Sequence, residues 1–198
     1  MEEREVWRGG NMLYPVPAVM VSCSRQGEKP NIITVAWAGT ICSSPAMVSI
    51  SVRPGRYSYG ILKETGEFVI NLTTRNLIRA ADFCGVHSGR DTDKFEACSL
   101  TAVPASKLKT VLIEESPVNI ECRVKQIVEL GSHHMFIAEA EAVDVDPQYI
   151  DSSGRLNLRR ADLAVYSHGE YFALGDRLGS FGFSVRKRKG GNKAGKRG

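Results

Sequence analysis

The segment CGVHSGRDTDKF, residues 84 to 95, sets Gly85, Ser88, Gly89, Arg90 and Lys94 close together in sequence. Small residues let backbone N–H groups approach a ligand, and Arg and Lys supply charge. That is the chemistry of a phosphate cradle, although a polar loop after a helix has the same composition. The G-x-x-x-x-G-K-[ST] spacing of a P-loop is absent. A second anion-binding candidate is SVRPGRYS, residues 51 to 58. There a strand ends in Val52 and Arg53, Pro54 and Gly55 turn the chain, and Arg56 and Tyr57 open a helix whose first N–H groups favour an anion. Arg residues here could equally pair with acids such as Asp91 or Glu64.

His133 and His134 are adjacent, and on a strand neighbours point to opposite faces, so the pair cannot share a metal site. One is expected to face a pocket and the other solvent. There is no G-x-S-x-G elbow and no H-E-x-x-H. The five cysteines are irregularly spaced and form no C-x-x-C, which argues against a disulfide framework or a zinc site. They read as small buried hydrophobes, with Cys42 and Cys84, set among Gly, Ser and Thr, able to line a pocket instead. No metal is expected.

These candidates need elements to hold them. The stretch PNIITVAWAGTICSSP, residues 30 to 45, begins as a strand and then shrinks to small hydroxylic residues beyond Trp37. Either the chain bends there, or something flat lies against its backbone. Further strands are predicted over VPAVMVSCS, AMVSISV, GEFVINL, VNIECRVKQIVEL and MFIAEAEAVDV, each bounded by turn residues. The long run 118–130 should pair with 134–145 as a bent hairpin across LGSH. The number and spacing of strands predict an antiparallel barrel or sandwich. Two helices are predicted: YSYGILKETG, stopping at Gly66, and TTRNLIRAADFCG, with a Thr N-cap, a face of Leu77, Ile78, Ala81 and Phe83, and a stop at Gly85. Residues 146–160 read as a surface loop with a helical turn.

The chain has 198 residues, 42% apolar and 24% charged, which suits one soluble domain over residues 1–185. The net charge of +4 is misleading, because the tail after Val185 holds seven Lys and Arg and no acid, leaving −3 for the rest. The body is therefore no basic nucleic-acid platform, and the tail, residues 186–198, reads as disordered. No run approaches a membrane span, and MEEREVWRGG lacks an apolar signal core, so a cytoplasmic location is expected.

The ordered set YPVPAVMVS, KPNIITVAWAG, SSPAMVSISVRPGRYSYGILKETGEFVINL, DFCGVHSGRDTDKF, LGSHHMFIAEAEAV and GEYFALGDRLGSFGFS resembles the flavin reductase-like, FMN-binding split β-barrel family, above all its flavoredoxin and flavin/ferric reductase branch. The resemblance reaches to about residue 184. It implies a Greek-key split barrel, a homodimer, and one non-covalent FMN per subunit near the dimer interface. It places Asn31, Thr34, Ala36, Trp37, Thr40 and Cys42 along the ring and ribityl chain, and Ser51, Val52 and Arg53 at the ribityl and phosphate end. Asn71 would close the neighbouring strand, Cys84, Gly85, Ser88, Gly89 and Lys94 would complete the phosphate cradle, and Tyr171 would cover the site. His133 falls at the family's G-x-H position, near the reactive ring or a nicotinamide. Ala138, Ala140 and His134 depart from the family pattern. The resemblance implies an NAD(P)H-dependent reductase of flavin or ferric complexes. No G-x-G-x-x-G is present, so an FMN electron-transfer protein without nicotinamide activity and a non-redox ligand-binding barrel stay open.

Overall fold

A computed structural model describes residues 3–185; the tail read as disordered lies outside them. Strands β1 (Val16–Pro17), β2 (Val19–Cys23), β3 (Asn31–Val35), β4 (Ala38–Ser43) and β5 (Ala46–Val52) lead into helix α1 (Tyr57–Thr65). Then come β6 (Glu67–Asn71), α2 (Ile78–Val86), the short α3 (Lys94–Ala97), β7 (Ala102–Pro104) and β8 (Val111–Ile113). The hairpin β9 (Val118–Glu129) and β10 (His134–Val145) follows, and β11 (Ala164–Ser167) and β12 (Glu170–Ala173) come last.

Seven strands form one curled antiparallel sheet in the order β3-β2-β6-β9-β10-β5-β4. Mainly β architecture with a half-barrel curl matches the expected split barrel. The β9–β10 hairpin is the expected bent wall, with register shifts between Ile137 and Ala138 and between Ala140 and Ala142, and such bulges increase local bend and twist. The edge strands β3 and β4 are consecutive in sequence, so a single segment forms both ends of the sheet.

The apolar runs of β2 and β3 are buried on both faces. Val19, Val21, Ile33 and Val35 join Phe68 and Phe136 inside the curl. Met20 and Ile32 face the other way, onto Leu77, Ala81, Cys84 and Phe95 of the helical layer. Phe68 and Phe136 are fully buried, and truncating either to Ala is expected to cost about 3–5 kcal/mol.

Helix α1 ends as predicted, on Gly66 at φ 65°, a left-handed C-cap that glycine adopts without strain. The second helix differs from expectation. A 3-10 turn at Arg75–Leu77 precedes α2, and Thr74 makes no side-chain cap bond. Gly85 lies inside the last turn rather than ending it. A Cβ at Gly85 would stand 3.4 Å from the Thr34 Cβ, so the glycine serves close helix-to-strand packing. The predicted loop at 146–160 contains two 3-10 turns, Pro147–Tyr149 and Leu158–Ala161. Glu121 is fully buried, and its carboxylate accepts from the backbone N–H groups of Ser106, Lys107 and Leu108.

Candidate functional site

Where the chain crosses from β3 to β4, Ala36 and Trp37 belong to neither strand. The Trp37 carbonyl accepts from the Ser51 N–H at 2.9 Å, which ties the crossing to β5. The N–H groups of Ala36 and Trp37 donate to no backbone carbonyl among the described residues. A groove follows this crossing. It consists of a cavity of about 120 Å³ walled by Asn31, Arg56, Ser58, Gly85, Ser88, Gly89 and Lys94, a middle of about 310 Å³ along Ile33 to Trp37 and Ser51 to Arg53, and a chamber of about 590 Å³ around Trp37, Gly39, Ser49 and Leu130 to His133. Ile33 and Arg56 belong to both the first and the second cavity, and Ala36, Trp37, Ser51 and His133 to both the second and the third, so the three run together.

The small end is built for an anion. The first turn of α1 opens onto it through Tyr57 and Ser58, bringing unpaired N–H groups and the positive end of the helix dipole. Neither Arg53 nor Arg56 has an acid partner among the described residues; Glu64, a sequence-level candidate, is taken by Arg25 at 2.5 Å. Asn31 is buried and donates through Nδ2 to the Ser58 Oγ at 2.7 Å. A Cβ on Gly89 would lie 2.1 Å from the Asn31 Oδ1 and 2.7 Å from the Tyr57 Cδ1, so only glycine lets that loop close on β3 and α1. Lys94 is buried as well, with its ammonium donating to the carbonyls of Ile32 at 2.6 Å and Cys84 at 2.8 Å. Burial and the nearby Arg56 lower its pKa. Its first duty is therefore to tie α3 to β3 and α2, with its remaining N–H available to the cavity.

The large end is apolar and aromatic. The Trp37 and Tyr14 rings lie 6.1 Å apart, and Tyr14 packs edge-on against Tyr166. His133 lines the groove, its Nδ1 2.8 Å from the Ser132 Oγ. Burial, then the cations Arg53 and Arg56, hold its pKa below the ordinary histidine value. The adjacent histidines do face different ways, and His134 reaches solvent only in part. It is half-buried, and its Nδ1 lies 2.8 Å from the Tyr59 hydroxyl.

The structure brings Asn31, Thr34, Ala36, Trp37, Ser51, Val52, Arg53, Cys84, Gly85, Ser88, Gly89, Lys94 and His133 to this groove. Several present backbone rather than side chain. The Thr34 hydroxyl is spent on the Ala81 carbonyl, and Val52 points into the core. The Cys84 thiol sits in the core between sheet and helices, where burial pushes its pKa up to about 12.

Four predicted residues lie elsewhere. Thr40 and Cys42 are farther along β4, on either side of a bulge against β5 and beyond the groove lining. Asn71 is fully buried and binds only protein: Nδ2 donates to Met20 O, Ser22 Oγ and Val69 O, and Oδ1 accepts from Ile113 N and Asn119 Nδ2. Tyr171 stands behind Tyr166, its hydroxyl 3.2 Å from the Asp82 Oδ1, and burial followed by that carboxylate raises its pKa to about 12. Sequence reasoning missed Tyr166, Ser49, Ser132 and the strap Gly10–Leu13, all of which line the groove. Ser132 borders His133, and that adjacency was the one available signal. Arg56 and Ser58 stood in the second anion candidate, and the structure merges it with the first.

Among the described residues no group of three or more His, Cys, Asp or Glu could hold a metal, and no helix is long and apolar enough to cross a membrane.

Comparison with known proteins gives a consistent set. The family described as "Flavin reductase like domain" matches residues 11–175. An uncharacterized protein of Archaeoglobus fulgidus is 33% identical over 147 residues, 74% of this chain and 82% of that relative. The solved flavoredoxin of Desulfovibrio vulgaris superposes with a TM-score of 0.86 at 30% identity, over 93% of this chain and 100% of its own. The flavoredoxin of Methanosarcina acetivorans does so with a TM-score of 0.83 at 25% identity, over 93% and 100%.

Proposed function

The chain belongs to the flavin reductase-like family, and from that premise we propose that it is an FMN-carrying oxidoreductase that takes electrons from NAD(P)H and passes them to flavin or ferric acceptors. The observation that carries this reading is the polarity of the groove. One end offers a helix N-terminus, a close-packed glycine loop and Arg56, with Arg53 in the adjoining middle cavity, neither arginine having an acid partner among the described residues. The other end is wide, apolar and aromatic. FMN has the same polarity, with a phosphate at one end and a flat ring at the other, so the residues present fit it.

FMN, when bound, supplies the redox chemistry. The chain's part is to bind and orient. Arg53, Arg56 and the first turn of α1 would hold the phosphate, and the backbone from Thr34 to Trp37 would line the ribityl chain. Trp37 and the free N–H groups of the crossing would face the ring. His133, anchored to Ser132, would stand at the substrate side as a hydrogen-bond donor or acceptor. We extend the proposal to a homodimer, because Trp7, Leu13, Leu178 and Phe181 are large apolar side chains left exposed along the two terminal segments, and such surface marks an interface.

The test is the visible absorption of the purified protein before and after anaerobic NADH or NADPH. Yellow protein whose oxidised-flavin band bleaches within seconds is the expected result. A flavin band that neither nucleotide bleaches leaves the second reading, an electron-transfer protein served by a protein donor. The strong likeness to flavoredoxins favours keeping that reading. Colourless protein that takes up no FMN refutes both and leaves a non-redox barrel. Sedimentation at micromolar concentration tests the dimer, and a monomer there refutes it.

A further inference from the structure

Four aromatic rings run in single file from the groove wall toward the surface. Trp37 lines the groove. Its ring lies 6.1 Å from that of Tyr14, Tyr14 lies 6.1 Å from Tyr166, and Tyr166 lies 5.5 Å from Tyr171, centroid to centroid. These are contact spacings for tilted and edge-on rings, and all four rings are half-buried. The file ends on a proton acceptor. The Tyr171 hydroxyl donates to the Asp82 Oδ1 at 3.2 Å, and Asp82 is exposed. Burial, then that carboxylate, raise the Tyr171 pKa to about 12, so the phenol holds its proton until it loses an electron. Among the described residues the hydroxyls of Tyr59 and Tyr171 are hydrogen-bonded, and those of Tyr14 and Tyr166 are not. Tryptophan and tyrosine both give up single electrons to strong oxidants, and tyrosine does so readily where its proton can leave at the same time. Tyr171 is the member of the file with a carboxylate placed to take it.

A groove that holds a redox cofactor exposes its walls to one-electron oxidants formed from dioxygen, and for that source of oxidant the inference rests on the FMN reading. We propose that Trp37, Tyr14, Tyr166 and Tyr171 form a relay that carries an oxidising equivalent out of the groove to the Asp82 edge of the protein. The oxidant removes one electron from Trp37, and the indole N–H proton leaves to solvent. One electron then moves from Tyr171, by way of Tyr166 and Tyr14, to the indolyl radical, which takes a proton back from solvent. The Tyr171 phenol passes its proton to Asp82 and becomes a neutral tyrosyl radical. A soluble one-electron reductant such as ascorbate restores the phenol there, away from the groove.

The test oxidises the full-length protein, as purified, with azide radicals generated by pulse radiolysis. A Trp7→Phe background leaves Trp37 as the one tryptophan, and Trp7 is 74% exposed, so folding is not at issue. Decay of the indolyl absorption and growth of the tyrosyl absorption are followed in time, and freeze-quenched samples are read by electron paramagnetic resonance. The expected result is first-order transfer from Trp37 to a tyrosine at a rate independent of protein concentration. Tyr171→Phe should remove most of the tyrosyl signal, and Asp82→Asn should lower its yield. Tyr14→Phe and Tyr166→Phe keep the ring but remove the oxidisable phenol, and each should slow the transfer about tenfold or more. A transfer rate that scales with protein concentration, a tyrosyl signal unchanged in Tyr171→Phe or Asp82→Asn, or a rate unchanged in both bridge variants overturns the inference and leaves the file as plain packing. Failure of the FMN reading looks different, because none of these measurements needs flavin. Colourless protein that shows the transfer keeps the relay and loses the cofactor, whereas yellow protein without the transfer keeps the cofactor and loses the relay.

Discussion

Replacing Gly89 by alanine puts a methyl carbon 2.1 Å from the Asn31 Oδ1, 2.6 Å from its Cγ and 2.7 Å from the Tyr57 Cδ1. Gly89 is not among the residues with positive φ, so the conflict is steric and not one of backbone conformation. Asn31 cannot swing aside cheaply. It is 3% exposed, and its Nδ2 is bonded to the Ser58 Oγ at 2.7 Å. Tyr57 begins α1 and is fixed by the helix. The loop itself must therefore retreat, which opens the phosphate end of the groove. Overpacking of this kind costs about 1–3 kcal/mol, which corresponds to roughly 5- to 150-fold in affinity for a ligand that needs the closed loop. On the proposed reading FMN is such a ligand and riboflavin, lacking the phosphate, is not. We expect Gly89→Ala to lower FMN affinity within that range while riboflavin affinity changes much less. Flavin-free protein titrated with each ligand, followed by quenching of flavin fluorescence, measures both. A parallel loss of FMN and riboflavin would mean that the substitution damages the fold, and an unchanged FMN affinity would place the phosphate elsewhere. Either result refutes the reasoning.

Three other outcomes are expected. Arg53→Gln should raise the His133 pKa toward its ordinary value, because Arg53 is one of the two cations holding it down. NMR titration of the imidazole checks this. Since folded His133 binds its proton less readily than unfolded, its contribution to stability is present above the unfolded pKa and is lost as pH falls through the folded one, and that acid-side loss should shrink in the variant. Asn71→Ala should cost about 3 kcal/mol or more by stranding buried partners, measured by denaturant unfolding, and the folded fraction should keep its FMN affinity. A cofactor loss without a stability loss would restore Asn71 to the site. Trp37→Ala should shift the visible flavin spectrum or release the flavin, and an identical spectrum would make Trp37 plain wall.

The strands were legible because β-branched and aromatic runs bounded by turn residues have few other uses, and the β9–β10 hairpin could be paired from length alone. The path of residues 30–45 was legible as a change of texture. What the sequence did not disclose depends on partners far along the chain. Gly85 looks like a helix stop, and only the approach of Thr34 explains a glycine inside the turn. Asn71 looks like a polar residue closing a strand at a site, but its acceptor oxygen serves Ile113 and Asn119, 42 and 48 residues away. Lys94 in a Gly-Ser loop suggests a free phosphate ligand, yet two carbonyls already hold its ammonium. Thr40 and Cys42 continue the run of small residues past the groove. An edge strand with a bulge tolerates them for reasons unrelated to any ligand.

The position of the groove follows from topology more than from any side chain. A curled sheet whose two edge strands are joined directly must pass one stretch of chain from edge to edge, and that stretch cannot pair along its length with either neighbour. Here it is Ala36 and Trp37, whose N–H groups have no backbone partner among the described residues while Ser51 fixes the adjoining carbonyl. Backbone polar groups left open beside an apolar interior favour a ligand with a hydrogen-bonding edge and an apolar face. Bulky residues on the groove side would block its approach, which accounts for the small Ala38 and Gly39 that line the groove just after Trp37. On the FMN reading, the ring end of the groove is thus written in the chain's path, and the phosphate end in particular side chains: Asn31, Arg53, Arg56, Ser58 and the glycine at 89. Substitutions should divide accordingly. Changes at the phosphate end should separate FMN from riboflavin, whereas changes at the crossing should act on both flavins together. A crossing variant such as Ala36→Pro that discriminated between the two would contradict this division.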